Sequence, residues 1–258
     1  MSHGGEPRRM VAEARAQKLL DRFGLNRPSE IVLEDIAYAL GIEITTRVLS
    51  GAEAHLVRIG NKGGITISDR ITDQGRRRFT IAHEIGHWEL HSDRTQMFLC
   101  TAEDMRDYQS SPEEIEANIF ASELLMPMRM MLPQHRDAPV GLKVAEEIAQ
   151  RFDVSLTAAT LRYVSKFKLP LMVVFTSQGR VAWWRRNDEH MEYLYLEPGQ
   201  VLSKHSRAAQ GVNDHSLIPV PWDAWFSHLD ERPGQLHEQA RRFENYDTVM
   251  SLLWHNSD

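Results

Sequence analysis

Three histidines recur at intervals of four in the stretch FTIAHEIGHWELH, which covers residues 79–91. Residues four apart lie on one face of an α-helix, so His83 and His87 can direct both imidazoles at a single metal ion. Glu84 is offset by one position and is expected beside such an ion rather than on it. The pattern predicts metal-assisted hydrolysis, in which zinc lowers the pKa of water and the Glu84 carboxylate accepts the proton.

The pentapeptide HEIGH alone does not distinguish a metal site from an ordinary solvated helix, because HExxH also occurs by chance. Its surroundings favour the metal site, since FTIA precedes the pattern and Ile85 and Gly86 lie within it. These neighbours predict a helix that is mostly buried. Burying two imidazoles and a carboxylate without a partner is costly, and a bound cation would satisfy them.

A catalytic zinc site normally has three protein ligands and an open position, and two residues are candidates for the third ligand. His91 would lie about 12 Å beyond His83 along a straight helix, at about 1.5 Å per residue. One ion with Zn–N bonds of about 2 Å cannot span that distance from a single helix. We therefore expect His91 at the helix end, where it favours the negative end of the helix dipole or hydrogen-bonds a carbonyl.

The second candidate is Glu114, in the predicted helix of SSPEEIEANIFASELLMP, for which Ser111 is the expected N-cap. The segment follows the gluzincin pattern E-x-x-A-[DN], in which the glutamate binds zinc. Asn118 lies four residues later, where its side chain can hydrogen-bond a ligand imidazole and fix its tautomer. Glu116 is expected to point elsewhere on the helix. The alternative is that the glutamates only compensate the helix dipole, which explains Glu114 in part but leaves Asn118 unexplained.

The blocks RRRFTIAHEIGHWELH and EIEANIFASELLMP together resemble the ImmA/IrrE family of metallo-endopeptidases. They follow R-x-R-F-T-x-A-H-E-x-G-H-x-x-L-H and E-x-x-A-N-x-F-A-x-x-L-L-M-P, and a weaker likeness covers roughly residues 10–168. The resemblance implies a gluzincin-type zinc protease with His83, His87 and Glu114 as ligands and Glu84 as general base. It also implies a helix-turn-helix repressor as substrate, whose cleavage relieves repression of phage-like or stress-response genes. Zn²⁺ is the expected cofactor, with Mn²⁺ as an alternative.

Composition sets further limits on the kind of protein. The chain has 258 residues, 42% of them hydrophobic, which is ordinary for a globular protein. Its formal net charge of -6 makes nucleic acid an unexpected direct partner. A single cysteine allows no intramolecular disulfide and favours a reducing compartment. With no signal-peptide core and no apolar stretch of about 18–20 residues, we expect a cytoplasmic protein without a membrane partner. The oligomeric state is left open.

The order of predicted elements indicates an α+β fold in three parts. Residues 1–140 are expected to form a zincin-like peptidase domain with the HExxH helix, a strand at IEITTRVL and a hairpin at AHLVRIGNKGGITISD. Residues 141–169 are predicted to be two helices resembling a helix-turn-helix. Residues 170–258 are expected to be a small, mostly β unit. It would contain a hairpin at LMVVFTSQGRVAWWRR and strands at MEYLYL, HSLIPVPW and TVMSLLWH.

The sequence predicts the residues that contact a substrate less clearly than it predicts the metal ligands. An electrophile from the predicted loop over residues 92–110 could stabilise the oxyanion, and Tyr108 is a weak candidate by position alone. The strand GGITIS could pair with an extended substrate if it lies at the edge of its sheet. The alternative is that it is an internal strand.

A DNA-binding or ligand-sensing regulator, with a structural or inactive zinc site, is the rival function. The segment SLTAATLRYVSKFK offers polar and basic side chains to DNA, namely Thr157, Thr160, Arg162, Lys166 and Lys168. Its partner helix is acidic, through Glu146 and Glu147, so packing or substrate docking is preferred over DNA binding. The tryptophans of the last third could line a ligand pocket, although a small β core is the simpler use for them. The intact Glu84 argues against an inactive site.

Overall fold

The computed structural model describes residues 7–91, 98–100, 111–135, 138–226, 234–243 and 247–256, and at 98–100 and 134 it describes the backbone alone. The chain forms two compact units, Met1–Arg136 with Ile148–Ser155, and Asp137–Glu147 with Leu156–Asp258. The helix α6 (Leu142–Phe152) therefore contributes to both. The domain boundaries at residues 140 and 170 stay predictions.

The first unit contains a four-stranded sheet in the order β1-β3-β2-β4. Its strands are β1 (Ile42–Arg47), β2 (Ala54–Ile59), β3 (Lys62–Ser68) and β4 (Phe98–Cys100). The predicted strand and hairpin are confirmed, with β1 parallel to β3 and both other pairs antiparallel. Because β3 pairs on both sides, GGITIS is an internal strand and its backbone groups are not available to a substrate.

Five α-helices are described in the first unit besides its share of α6. They are α1 (Arg9–Arg22), α2 (Leu33–Ala39), α3 (Gln74–Leu90), α4 (Pro112–Leu125) and α5 (Met128–His135). The helix α3 carries the HExxH pattern, and α4 carries the second sequence block. These two helices pack against each other, and Gly86 of α3 faces Ala117 and Phe120 of α4.

The Trp88 side chain fixes α3 on the sheet. A Cβ atom added to Gly63 of β3 would lie 2.5 Å from the Trp88 ring, so the strand leaves room for the indole only because this residue is glycine. The guanidinium of Arg58, on β2, lies 3.9 Å from the indole centroid and donates a hydrogen bond to the Trp88 carbonyl oxygen. The end of α3 is thereby held against two neighbouring strands.

The second unit is built on a five-stranded antiparallel sheet in the order β6-β5-β9-β8-β7, which confirms the mostly β C-terminal prediction. Its strands are β5 (Leu171–Ser177), β6 (Arg180–Arg186), β7 (Ile218–Val220), β8 (Gln235–Phe243) and β9 (Thr248–Asn256). Two helices accompany the sheet, α7 (Leu156–Lys166) and the short α8 (Asp188–Met191). The helix α7 packs on β5 and β6, which buries Thr160 and Arg162.

Two strand assignments in this unit differ from the sequence prediction. MEYLYL is not a strand. Its first residue, Met191, ends α8, and the residues that follow form no strand, although Leu194 and Leu196 are buried in the core. Strand β8 was not predicted, since QLHEQARRF lacks a clear apolar alternation and its central position, Glu238, is a buried charged residue. Among the described helices, none has the length and apolar character needed to cross a bilayer.

Candidate metal centre

The side chains of His83, His87 and Glu114 converge at the crossing of α3 and α4. One ligand atom from each lies within 4.8 Å of the others. The Nε2 atom of His83 is 3.0 Å from Nε2 of His87 and 3.0 Å from Oε2 of Glu114. The Nε2 atom of His87 is 3.3 Å from Oε1 of Glu114. Two imidazole nitrogens and one carboxylate therefore face a common point.

Local capping brings these residues into position. The side chain of Asp73 accepts a hydrogen bond from the Arg76 backbone N–H and starts α3. The side chain of Ser111 accepts one from the Glu114 backbone N–H, as the sequence predicted, and Pro112 occupies the first position of α4. The start of α4 is thus fixed so that Glu114 lies in its first turn, opposite the histidines.

Burial and mutual contacts shift the pKa values of all three groups. Burial is the largest influence on His87 and lowers its pKa to about 4. Burial also acts to lower the pKa of His83, but the hydrogen bond to Glu114 and the charge of Glu84 outweigh it and raise that pKa. Burial acts to raise the pKa of Glu114, yet its hydrogen bonds with both histidines hold it far below the usual range. The ionised Glu114 carboxylate thus favours a positive charge beside it, which a metal cation bound by two neutral imidazoles would supply in place of an imidazole proton.

The donor set fits a zinc ion. The Nδ1 atom of His83 lies 3.0 Å from Oδ1 of Asn118, which is 2% exposed. An amide oxygen only accepts, so Nδ1 carries the hydrogen and the Nε2 lone pair of neutral His83 points at the cluster. Lone pairs of two imidazoles and a carboxylate held about 3 Å apart repel one another unless a cation lies between them. Two histidines and one glutamate form a known zinc donor set.

Of the two other predicted site residues, the structure describes Glu84 but not Tyr108. The Glu84 side chain is fully buried on α3, and its charge is among the causes that raise the pKa of His83, so it lies close to the cluster. Glu84 is not one of the three converging side chains, and its role as general base stays a prediction. Tyr108 lies outside the described residues, so its role as a substrate contact stays a prediction.

His91 and Glu116 form an arrangement that the sequence did not predict. The His91 ring lies between His87, with 3.1 Å between the two Nδ1 atoms, and Glu116, with 3.2 Å from Nε2 to Oε2. His91 follows the last residue of α3, as expected, is absent from the three converging side chains, and is buried. Glu116 points away from the three converging side chains, as expected, but its contacts with His91 and Arg8 were not predicted. The sequence feature that could have predicted a buried partner is the charge of Glu116 within a largely apolar helix.

Glu116 is held in turn by Arg8. Burial acts to raise the pKa of Glu116, but hydrogen bonds from Arg8 and His91 outweigh it and lower it to about 2. Burial lowers the pKa of His91 despite its hydrogen bond to Glu116, so this imidazole is neutral near pH 7. A neutral imidazole therefore separates an ionised carboxylate from His87.

The fold and the cluster together define a class of protein. It is an α+β domain in which a helix with the HExxH pattern packs against a second helix that bears a glutamate. Residues 37–163 match the family model of the IrrE N-terminal-like domain, peptidase family M78. The matched range includes both helices and every residue of the candidate centre. Residues 37–163 are thus an IrrE N-terminal-like domain, which confirms the resemblance drawn from the two sequence blocks.

Similarity to other proteins is more distant. A transcriptional regulator from Mycobacterium tuberculosis is similar in structure, with 15% sequence identity and a TM-score of 0.57. The similarity covers 95% of this chain and 88% of that one. At this identity the likeness concerns the fold alone. No curated protein matches the chain.

Proposed function

We propose that this protein is a gluzincin-type zinc endopeptidase that hydrolyses a peptide bond in an intracellular protein. The observation that carries the proposal is the convergence of His83, His87 and Glu114, with Glu84 next to His83, in a domain of a peptidase family. The three converging side chains are the proposed ligands and Glu84 is the proposed general base. Zn²⁺ is the proposed ion, and Mn²⁺ is the alternative.

The roles of the protein groups follow from their chemistry. A zinc ion held here supplies Lewis acidity, which makes water a better nucleophile and a carbonyl a better electrophile. The Glu84 carboxylate takes the proton of the attacking water and delivers it to the amine that leaves. Asn118 keeps His83 in the tautomer whose Nε2 lone pair faces the centre. Burial of the histidines and of Glu84 keeps bulk water away from the proton transfer.

A helix-turn-helix repressor is the proposed substrate, by resemblance to the ImmA/IrrE family, and its cleavage would relieve repression. The second candidate function is a regulator in which the metal site is structural or inactive. It is favoured by the name of the structural neighbour, a transcriptional regulator. The two functions differ in whether Glu84 is needed for hydrolysis, because a structural site requires no general base.

The test is a Glu84→Gln variant assayed for bound zinc and for cleavage of a small helix-turn-helix repressor encoded next to this gene. Wild type should hold about one zinc ion per chain. The variant should keep that zinc and lose cleavage, by a factor of about 100 or more. Glu89→Gln is a matched control on the same helix, since the Glu89 carboxylate lies 3.9 Å from the Arg15 guanidinium and is not one of the three converging side chains. Normal cleavage by Glu84→Gln would refute the mechanism.

A further inference from the structure

A series of hydrogen bonds runs from the start of α1 to His87. The Glu116 carboxylate accepts hydrogen bonds from the Arg8 backbone N–H at 2.8 Å and from the Arg8 side chain at 3.1 Å and 2.9 Å. Arg8 is the residue that precedes α1, so the carboxylate also anchors the beginning of that helix. Glu116 is buried, with 4% of its surface exposed, and its Oε2 atom lies 2.9 Å from the Arg8 guanidinium.

The next steps fix where the hydrogens lie. A carboxylate oxygen accepts, so the Nε2 atom of His91 carries the hydrogen that it donates to Glu116. The Nδ1 atom of His91 lies 3.1 Å from Nδ1 of His87. When His87 binds a metal through Nε2, its Nδ1 carries a hydrogen and donates it to Nδ1 of His91. The Nε2 lone pair of His87 is left facing Glu114 and His83, as metal binding requires.

We propose that Arg8, Glu116 and His91 are positioning residues that fix the tautomer and orientation of His87 for metal binding. The inference rests on the proposed function, because it assumes that His87 is a ligand. The two histidines would thus be held by different means. Asn118 contacts His83 directly through its amide oxygen. His87 instead contacts the His91 imidazole, which in turn contacts the Glu116 carboxylate. A carboxylate acting through that imidazole raises the basicity of the ligand nitrogen.

The experiment measures zinc affinity of the full chain by competition with a chromophoric chelator. Glu116→Gln should bind zinc about 10–100-fold more weakly than wild type, since loss of such outer partners has effects of this size. Arg8→Gln should weaken binding in the same direction but less, because the carboxylate remains. Glu123→Gln is the matched control and should bind like wild type. Glu123 is also a buried α4 glutamate that accepts from α1, at Gln17, and it lies about two helical turns beyond Glu116 along α4.

Substitutions of His91 separate positioning from packing. The amide oxygen of an asparagine at this position can accept from His87 Nδ1, as the imidazole nitrogen does, so His91→Asn should recover most of the affinity lost in His91→Ala. In the His91→Asn background, adding Glu116→Gln should cause little further loss, because the connection is already cut. Visible absorption of the Co²⁺-loaded proteins should change with Glu116→Gln and not with Glu123→Gln.

The zinc affinities of these variants distinguish an error in the positioning role from an error in the ligand set. If Glu116→Gln keeps wild-type affinity while His87→Ala loses it, the positioning role is wrong and the ligand set stands. If His87→Ala itself keeps wild-type affinity, the proposed metal centre is wrong and the inference falls with it. If Glu116→Gln weakens binding equally with and without His91→Asn, Glu116 acts through the fold and the inference is again wrong. Should Glu116→Gln fail to fold, Arg8→Gln and the two His91 variants decide between the same outcomes.

Discussion

The backbone of Gly86 touches that of Ala117: a methyl group on Gly86 would lie 3.2 Å from the Ala117 Cα and carbonyl oxygen atoms, and 3.1 Å from Phe120 Cδ1. Ala117 and Phe120 are fully buried on α4, so little space exists for either to move. This contact sets the distance between the helix that carries both histidines and the helix that carries Glu114. The glycine of HEIGH is therefore part of the geometry of the candidate centre.

We predict that Gly86→Val separates the two helices and weakens zinc binding along with folding. Overpacking of a dense core typically costs about 1–3 kcal/mol of unfolding free energy. Chemical denaturation and zinc competition measure the two effects. Gly64→Val is the control, because a Cβ atom at Gly64 would meet only the Glu43 carbonyl oxygen, at 4.0 Å. Unchanged zinc affinity in Gly86→Val would mean that this contact does not set the site.

Metal removal should destabilise the protein by an amount that grows with the logarithm of its affinity for zinc. Free zinc at about 100 times the dissociation constant adds about 2.7 kcal/mol to the unfolding free energy of a protein that binds it only when folded. Thermal melts with zinc and with a chelator should therefore differ for wild type and coincide for His83→Ala and Glu114→Ala. A Glu114→Ala variant with full zinc affinity would show that the third ligand is another residue.

Acidity should affect the second unit through Glu238. This carboxylate is fully buried and accepts hydrogen bonds from the backbones of Arg207 and Ala208 and the side chains of Trp225 and Ser251, each at 2.8 Å. Burial outweighs these bonds and raises its pKa above the ordinary 4.5. The folded state thus holds its proton more tightly than the unfolded state, so this stabilisation is complete below about pH 4.5 and is lost as pH rises through the folded pKa.

Denaturant unfolding of wild type and Glu238→Gln at several pH values tests this sign. The glutamine is always neutral, so the stability of wild type minus that of the variant should fall as the pH increases from about 4.5. A difference that stays constant, or that grows with pH, would contradict a raised pKa at Glu238.

Duplex DNA should not be retained by this protein through α7. Of the side chains that could read DNA, Thr160 and Arg162 are 0% and 3% exposed and lie within the packed face of the helix. The measurement is a mobility-shift titration at low and moderate salt. Binding that weakens steeply with salt would favour the regulator function and require another basic surface.

The sequence predicted best what depends on neighbouring residues. The caps Ser111 and Pro112, the spacing of His83 and His87 and the turn of the first hairpin are local signals, and each gave the right element or position. The link from Arg8 to Glu116 could not be predicted in this way, because it joins residues 108 positions apart. Strand β8 was missed for a related reason. Its buried Glu238 is tolerated only because distant chain segments supply the hydrogen bonds.

Trp88 gives the molecule an optical property of practical use. It is the only one of six tryptophans within the first unit, it follows His87 directly, and Gly63 and Arg58 hold its ring in a fixed place. Its fluorescence should therefore be quenched when a coloured ion such as Co²⁺ occupies the neighbouring centre, while the other five indoles are in the second unit. In a variant that retains Trp88 alone, light emission would follow metal loading in real time without any attached dye.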